Sequence, residues 1–163
     1  VITNPINCVG VMGKGLALSF KNRFPRMFED YQKRCHAGEV RLGRPYLWED
    51  DKTQILNFPT KNHWKDHSHL DDIDRGLEYL AKNFSQMGIS SIALPALGAG
   101  LGGLKKQDVM GLIEKHFATI DDLDVYVYEN FDDHKTKEAS EKYIATQPLA
   151  RLKIAAQQEL SFP

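Results

Sequence analysis

Apolar residues return along this chain at two periods, and the switches between them divide it into alternating strands and helices. Val1 and Ile2 end a buried strand; Leu16, Phe20, Phe24, Met27, Phe28 and Tyr31 then recur at helical spacing. Pro25 splits that run into two helices, because a ring inside a helix removes a hydrogen bond and clashes with the preceding turn. His36-Ala37-Gly38-Glu39 ends the second. Residues 44–48 and 54–58 are strand-like, and Glu49-Asp50-Asp51-Lys52 between them reads as a hairpin turn. Residues 60–69 are polar and irregular. Residues 70–87 set Ile73, Leu77, Leu80, Ala81 and Phe84 on one face of a long amphipathic helix, with Gly88 as its stop. Ser91–Pro95 is a short apolar strand, Val109, Leu112, Ile113, His116 and Phe117 mark a helix from about Gln107, and Asp124–Tyr128 is another strand. Strands alternating with helices predict an α/β fold with a mostly parallel sheet covered on both faces.

Two of the strand-to-helix passages are rich in glycine. Between Ile2 and Leu16 lie Asn4, Asn7, Gly10, Gly13 and Gly15; after Pro95 come Ala96, Leu97, Gly98, Ala99, Gly100, Leu101, Gly102, Gly103 and Leu104. Glycine lets bare backbone N–H groups approach an anion, and a helix N-terminus favours one electrostatically. Parallel strands bring such loops to the carboxyl edge of the sheet, where ligands of open α/β sheets bind. Two loops facing one crevice suit a diphosphate. Tight turns that pack strand against helix would use the same glycines.

Composition narrows the partners. A chain of 163 residues is most simply one domain with a real core. Its net charge of −1 gives no global field toward nucleic acid or membrane, so any contact with DNA must be local. Two cysteines, Cys8 and Cys35, make no disulfide framework and fit a reducing cytoplasm. No apolar run approaches the roughly 18 residues that span a bilayer. From Asp132 the sequence turns charged and helix-prone, with a break near Pro148. Residues 132–163 are therefore expected as a helical extension, either a solvated packing helix or the start of a partner-binding unit. The chain begins in mid-pattern, and an upstream segment is expected.

Three groups carry candidate chemistry. His63, His67 and His69 have a spacing that could hold a metal, but no cysteine or clear carboxylate accompanies them, and an ordinary polar loop is the plainer reading. Cys8 precedes a helix N-terminus that would lower its pKa, or it is a small packed residue. Lys61 follows Phe58-Pro59-Thr60 at the end of a buried strand, so its amine could project into the crevice of the glycine loops. Desolvation there would free it as nucleophile or base; a surface lysine or a counter-charge to a diphosphate are the alternatives.

Asn4-Pro5-Ile6-Asn7 with its glycine loop, followed in order by residues 95–104, resembles the macrodomain family of ADP-ribose-binding modules. The resemblance covers residues 1–131. It implies a three-layer α/β/α fold with a mixed, mostly parallel sheet, whose first strand is missing here along with an aspartate that reads the adenine. Residues 9–17 together with Pro59-Thr60-Lys61 are similar to the branch holding the DarG-type DNA ADP-ribosyl glycohydrolases and the terminal ADP-ribose glycohydrolases. In that branch a lysine at the Thr-Lys position is implicated in catalysis, and it falls on Lys61. The terminal glycohydrolase also uses an aspartate in the second glycine loop; this sequence has Gly102 there, as DarG-like members do.

Carried over, the resemblance implies ADP-ribose binding by Asn4, by Gly10, Met12, Gly13, Lys14 and Gly15 around the distal ribose and diphosphate, and by Asn7 on that ribose. Pro95, Leu97, Gly98, Ala99, Gly100, Leu101 and Gly102 would cradle the diphosphate, and Asn130 or Phe131 would border the adenine. The expected activity is an antitoxin-like hydrolase that removes ADP-ribose from thymidine in single-stranded DNA, with Lys61 and Asn7 catalytic and neither metal nor cofactor. A DarT-like toxin is the implied partner. ADP-ribose-1″-phosphate phosphatase and a non-catalytic ADP-ribose reader are the alternatives.

Overall fold

The computed structural model describes residues 1–128; Asn130, Phe131 and the extension over 132–163 lie outside the described residues. The described residues form β1 (Ile2–Asn7), α1 (Gly15–Arg23), α2 (Pro25–His36), β2 (Tyr46–Glu49), β3 (Gln54–Lys61), α3 (Leu70–Asn83), β4 (Ser91–Pro95), α4 (Lys106–Phe117) and β5 (Asp124–Tyr128). The strands make a single sheet in the order β2-β3-β1-β4-β5. Its pairings are parallel except for β2, which returns against β3 as a hairpin. Asp50 closes that hairpin, its Oδ1 accepting from the Lys52 and Thr53 N–H groups at 3.1 and 2.8 Å.

Alternation along the strands builds two cores, one on each face. Leu56, Phe58, Ile92, Leu94 and Val125 pack with Ile73, Leu77 and Leu80 of α3 and Val109, Ile113 and Phe117 of α4. Ile6, Ile55, Ala93 and Tyr126 face the other way, against Phe20 of α1 and Met27 and Tyr31 of α2. The result is the expected three-layer α/β/α arrangement. No helix among the described residues is long and apolar enough to cross a membrane.

Two strands run further than their sequence pattern predicts, and both extensions matter for the site. β1 continues from Ile2 through Asn7, so Asn4 lies inside the sheet instead of in the loop. Asn57, directly opposite on β3, meets part of its polarity, its Oδ1 accepting from Asn4 Nδ2 at 3.0 Å. β3 continues past Phe58 to Lys61. Ile6 pairs with Pro59 but Asn7 pairs with Lys61, leaving Thr60 as an extra residue on β3. Pro59 has no N–H for the ladder, and a bulge beside it re-aims the residues that follow. The Thr60 hydroxyl donates to the Ile6 carbonyl at 3.3 Å and holds the bulge closed. α3, conversely, ends at Asn83 and reaches Gly88 through turns, short of the predicted Met87.

Candidate active site

The carboxyl ends of β3, β1 and β4 lie side by side, and each feeds a loop: residues 62–69, 8–14 and 96–105. Backbone bonds tie these loops together. The Cys8 N–H donates to the Asn62 carbonyl at 3.0 Å, and the Ser68 N–H donates to the Gly102 carbonyl at 2.9 Å. Gly15, which opens α1, lies against the Leu101 side chain; a β-carbon placed on it would sit 3.5 Å from Leu101 Cδ1. The two glycine loops therefore border one groove.

That groove is furnished with backbone donors. In the second loop the Ala99, Gly103 and Leu104 N–H groups close turns onto Ala96, Gly100 and Gly98 carbonyls at 3.0 to 3.1 Å. The N–H groups of Gly98, Gly100, Leu101 and Gly102 take no part in those bonds. On the other side α1 begins at Gly15 after Lys14, with no side-chain cap and no acidic residue in its first turn. An uncapped helix N-terminus and loop N–H groups outside those turns are the kinds of donor that favour an anion. Gly98 needs its missing side chain: its φ is +74°, and a β-carbon would meet Leu104 Cδ1 at 2.9 Å and Ser68 Cβ at 3.0 Å.

Lys61 sits where these parts meet. Its Nζ donates to the Asp66 carbonyl at 3.0 Å and to the Leu101 carbonyl at 3.3 Å, which places the amine between its own loop and the second glycine loop. Burial pushes its pKa below the usual lysine value, with the Asp66 charge acting in the opposite sense. The bulge at Thr60 sets its backbone beside Asn7.

Asn7 is bound into the first loop. Its Nδ2 donates to the Val11 carbonyl at 2.6 Å, and its Oδ1 accepts from the Val9 and Val11 N–H groups at 3.0 and 3.4 Å. Beneath it the buried Tyr31 hydroxyl donates to the Asn7 carbonyl and Oδ1 at 2.9 and 2.8 Å. The carboxamide thus shapes the loop that the glycines make possible. Four expected ligand residues turn their side chains inward: Asn4, Met12, Pro95 and Leu97 are buried. Asn4 and Met12 meet each other, Asn4 Nδ2 lying 3.9 Å from Met12 Sδ. These four anchor the loops, and the surface of the groove is left to Gly13, Lys14, Gly15, Ala99, Gly100 and Leu101, with Gly10 and Gly102 set deeper.

Ser68 is a site residue that the sequence pattern does not single out. It is buried under the second loop, and a β-carbon at Gly102 would collide with its Oγ and with the Gly98 carbonyl. No side chain fits at position 102 in this packing. Tyr31 and Asp66 were equally silent, one reading as core and the other as loop; only the uninterrupted polarity of residues 60–69 marks that segment.

The other candidates separate. His63 stacks on Trp64 with ring centroids 5.3 Å apart, and His67 Nδ1 lies 3.1 Å from where a β-carbon on Gly103 would stand. Among the described residues no three His, Cys, Asp or Glu side chains gather to hold a metal ion. Of the two readings of Cys8, the packed residue is favoured over activation: burial first, then the nearby Cys35, pushes its thiol up to about 11. A surface depression of about 560 Å³ lies over the start of α3, lined by His69, Asp71, Asp72, Asp74 and Arg75. Its acidic lining repels a diphosphate, so it is not the anion site.

A family model described as Macro domain matches residues 3–113. The chain belongs to the Macro domain family. Among the family's characterised members, it is 44% identical over 131 residues to a DNA ADP-ribosyl glycohydrolase of Mycobacterium tuberculosis, a match covering 78% of this chain and 37% of that protein. The chain thus spans little more than a third of that relative's length. Of solved structures, the macrodomain of Mycobacterium tuberculosis DarG superposes with a TM-score of 0.77 at 42% identity, covering 80% of this chain and 88% of that one. Thermosipho africanus DarTG in complex with ADP-ribose superposes with a TM-score of 0.75 at 34% identity, covering 85% of this chain and 41% of that one.

Proposed function

We propose that this macrodomain is a hydrolase that releases ADP-ribose from ADP-ribosylated DNA, with thymidine in single strands as the modified nucleoside, and that it acts as the antitoxin to a DarT-like toxin. The observation that carries the reading is the seat of the Lys61 amine, 3.3 Å from the Leu101 carbonyl on the rim of the groove. The likeness to DNA ADP-ribosyl glycohydrolases and to a DarTG that binds ADP-ribose supports the substrate. Residues 1–131 would carry this activity, 132–163 an extension beside it, and free Cys8 and Cys35 suit a reducing cytoplasm.

In this reading the first loop, running from Gly10 through Gly13, Lys14 and Gly15 and anchored by the buried Met12 side chain, wraps the distal ribose and diphosphate, and residues 98–102 hold the diphosphate through backbone N–H groups. The neutral Lys61 amine forms a bond to the distal ribose C1″, or to the aldehyde of its opened ring as a Schiff base. The bond from C1″ to the base nitrogen breaks, and that nitrogen takes up a proton. Water then cleaves the adduct, releasing ADP-ribose and restoring the amine. Holding the sugar still beside the amine supplies on the order of 7–11 kcal/mol of barrier lowering. The phosphatase alternative would rest on Asn7, whose carboxamide is engaged within the first loop.

The deciding experiment incubates the chain with a thymidine-modified single-stranded oligonucleotide and measures free ADP-ribose. Release by the unmodified chain, lost in Lys61→Ala while ADP-ribose affinity persists, is the expected result. Binding of ADP-ribose without any release would make the chain a reader. Dephosphorylation of ADP-ribose-1″-phosphate that survives Lys61→Ala would make it a phosphatase.

A further inference from the structure

Four large apolar side chains are conspicuously exposed among the described residues: Val9, Val11, Trp64 and Leu101. All four stand on the loops at the carboxyl edge. Val9, Val11 and Leu101 belong to the glycine loops and so to the groove. Trp64 does not. It is 49% exposed on the loop that follows Lys61, and the ADP-ribose groove leaves it without a role.

The Trp64 ring is held in place. His63 stacks against it at 5.3 Å with the planes tilted by 30°, and Lys65 Nζ lies 4.9 Å from its centroid. The turn beneath is closed by its own bonds: His63 N–H to Asp66 Oδ2 at 3.1 Å, Asp66 N–H to the His63 carbonyl at 3.0 Å, and Lys65 N–H to His63 Nδ1 at 3.2 Å. The same turn receives the Lys61 ammonium at the Asp66 carbonyl. An aromatic face flanked by a lysine is thus fixed one tight turn from the reacting amine.

We propose that Trp64, with Lys65 beside it, is a stacking platform for a base next to the modified nucleotide, so that this edge holds single-stranded nucleic acid as well as ADP-ribose. The inference rests on the hydrolase reading for the identity of the modified strand. A base has a π-face whatever its sequence, and the Lys65 ammonium, which lies over the Trp64 ring, would leave that face for the phosphate that follows. With a net charge of −1 the chain has no general attraction for DNA, so the strand must be gripped locally, beside the scissile bond. The Asp66 carboxylate in this turn is turned onto the His63 N–H, which keeps its charge from facing the strand unopposed.

The test compares two substrates and two variants. ADP-ribosylated thymidine mononucleoside has no neighbouring base; a modified single-stranded oligonucleotide does. Trp64→Ala is expected to lower kcat/KM on the oligonucleotide about tenfold, through KM, while leaving the mononucleoside rate and ADP-ribose affinity unchanged. Trp64→Phe, which keeps a ring, is expected to restore most of the loss. Replacing the flanking nucleotide by an abasic one should reproduce the Trp64→Ala effect in the unmodified chain. Equal loss on both substrates, or no loss on either, overturns the proposal. Binding is measured separately in a Lys61→Ala background, where substrate stays intact: weaker oligonucleotide binding on adding Trp64→Ala supports the platform even if the unmodified chain releases nothing. Unchanged DNA binding with loss of toxin binding would instead make Trp64 a protein contact.

Discussion

Across the β1–β3 ladder Lys61 stands opposite Asn7, one residue out of the register that the strands keep up to Ile6 and Pro59. That slip joins the group shaping the first glycine loop to the group whose amine touches the second.

The amine must be neutral to react, so the release rate should climb with pH in proportion to the neutral fraction and level off above the Lys61 pKa. Burial of Nζ sets that bend below the ordinary value of 10.5. Single-turnover rates measured from about pH 6 to 10 check it. Lys61→Arg, charged throughout, should lose on the order of 100-fold or more in rate at every pH while ADP-ribose binding by calorimetry stays near that of the unmodified chain.

Tyr31→Phe should loosen the first loop without touching the groove. It removes the hydroxyl that donates to the Asn7 carbonyl and Oδ1, a loss of about 1 kcal/mol in urea unfolding. Calorimetry should show weaker ADP-ribose binding in the same variant, because the loop N–H groups are no longer held in one geometry.

Gly102→Ala should be costly, since its methyl group would collide with Ser68 Oγ and the Gly98 carbonyl. We expect about 1–3 kcal/mol of lost stability, read as a lower Tm, together with reduced ADP-ribose affinity from a displaced second loop.

α3 and α4 are clasped by Asp74, whose Oδ1 lies 2.6 Å from His116 Nε2 and 3.0 Å from Lys115 Nζ. The His116 bond, then Lys115, holds the Asp74 carboxyl below its usual 3.8. A carboxyl with a depressed folded pKa binds fewer protons than in the unfolded chain. Its stabilisation is therefore full above 3.8 and is lost as pH falls through the folded pKa. Asp74→Asn should unfold more readily at neutral pH and show a shallower decline of Tm under acid.

Much of this was legible in the sequence. α3 announced itself through Ile73, Leu77 and Leu80, and both glycine loops stood out because only backbone freedom explains so many glycines between a strand and a helix. The ends of β1 and β3 were not legible. Asn4 reads as a loop residue until Asn57 is known to lie opposite, since a buried amide is tolerable only with a partner that pairing across 53 positions supplies. Pro59 reads as a strand terminator until the bulge at Thr60 is seen to absorb it. The bonds of the Asn7 carboxamide within the first loop were not legible either, because spacing fixes where the side chain is but not which backbone groups curl back to meet it. Lys61 was singled out by its place after a buried strand and by the family resemblance, and no periodicity could have found Ser68.

The crowding of Ser68 against Gly102 also constrains how this lineage can change. A carboxylate cannot enter the second loop by altering position 102 alone, for the space belongs to a neighbour 34 positions earlier. Glycine at 68 would remove only the Oγ contact, because the Gly98 carbonyl blocks the same space, so the backbone of the second loop must shift as well. An aspartate at 102 therefore calls for a different course of the second loop, and not for one exchanged neighbour.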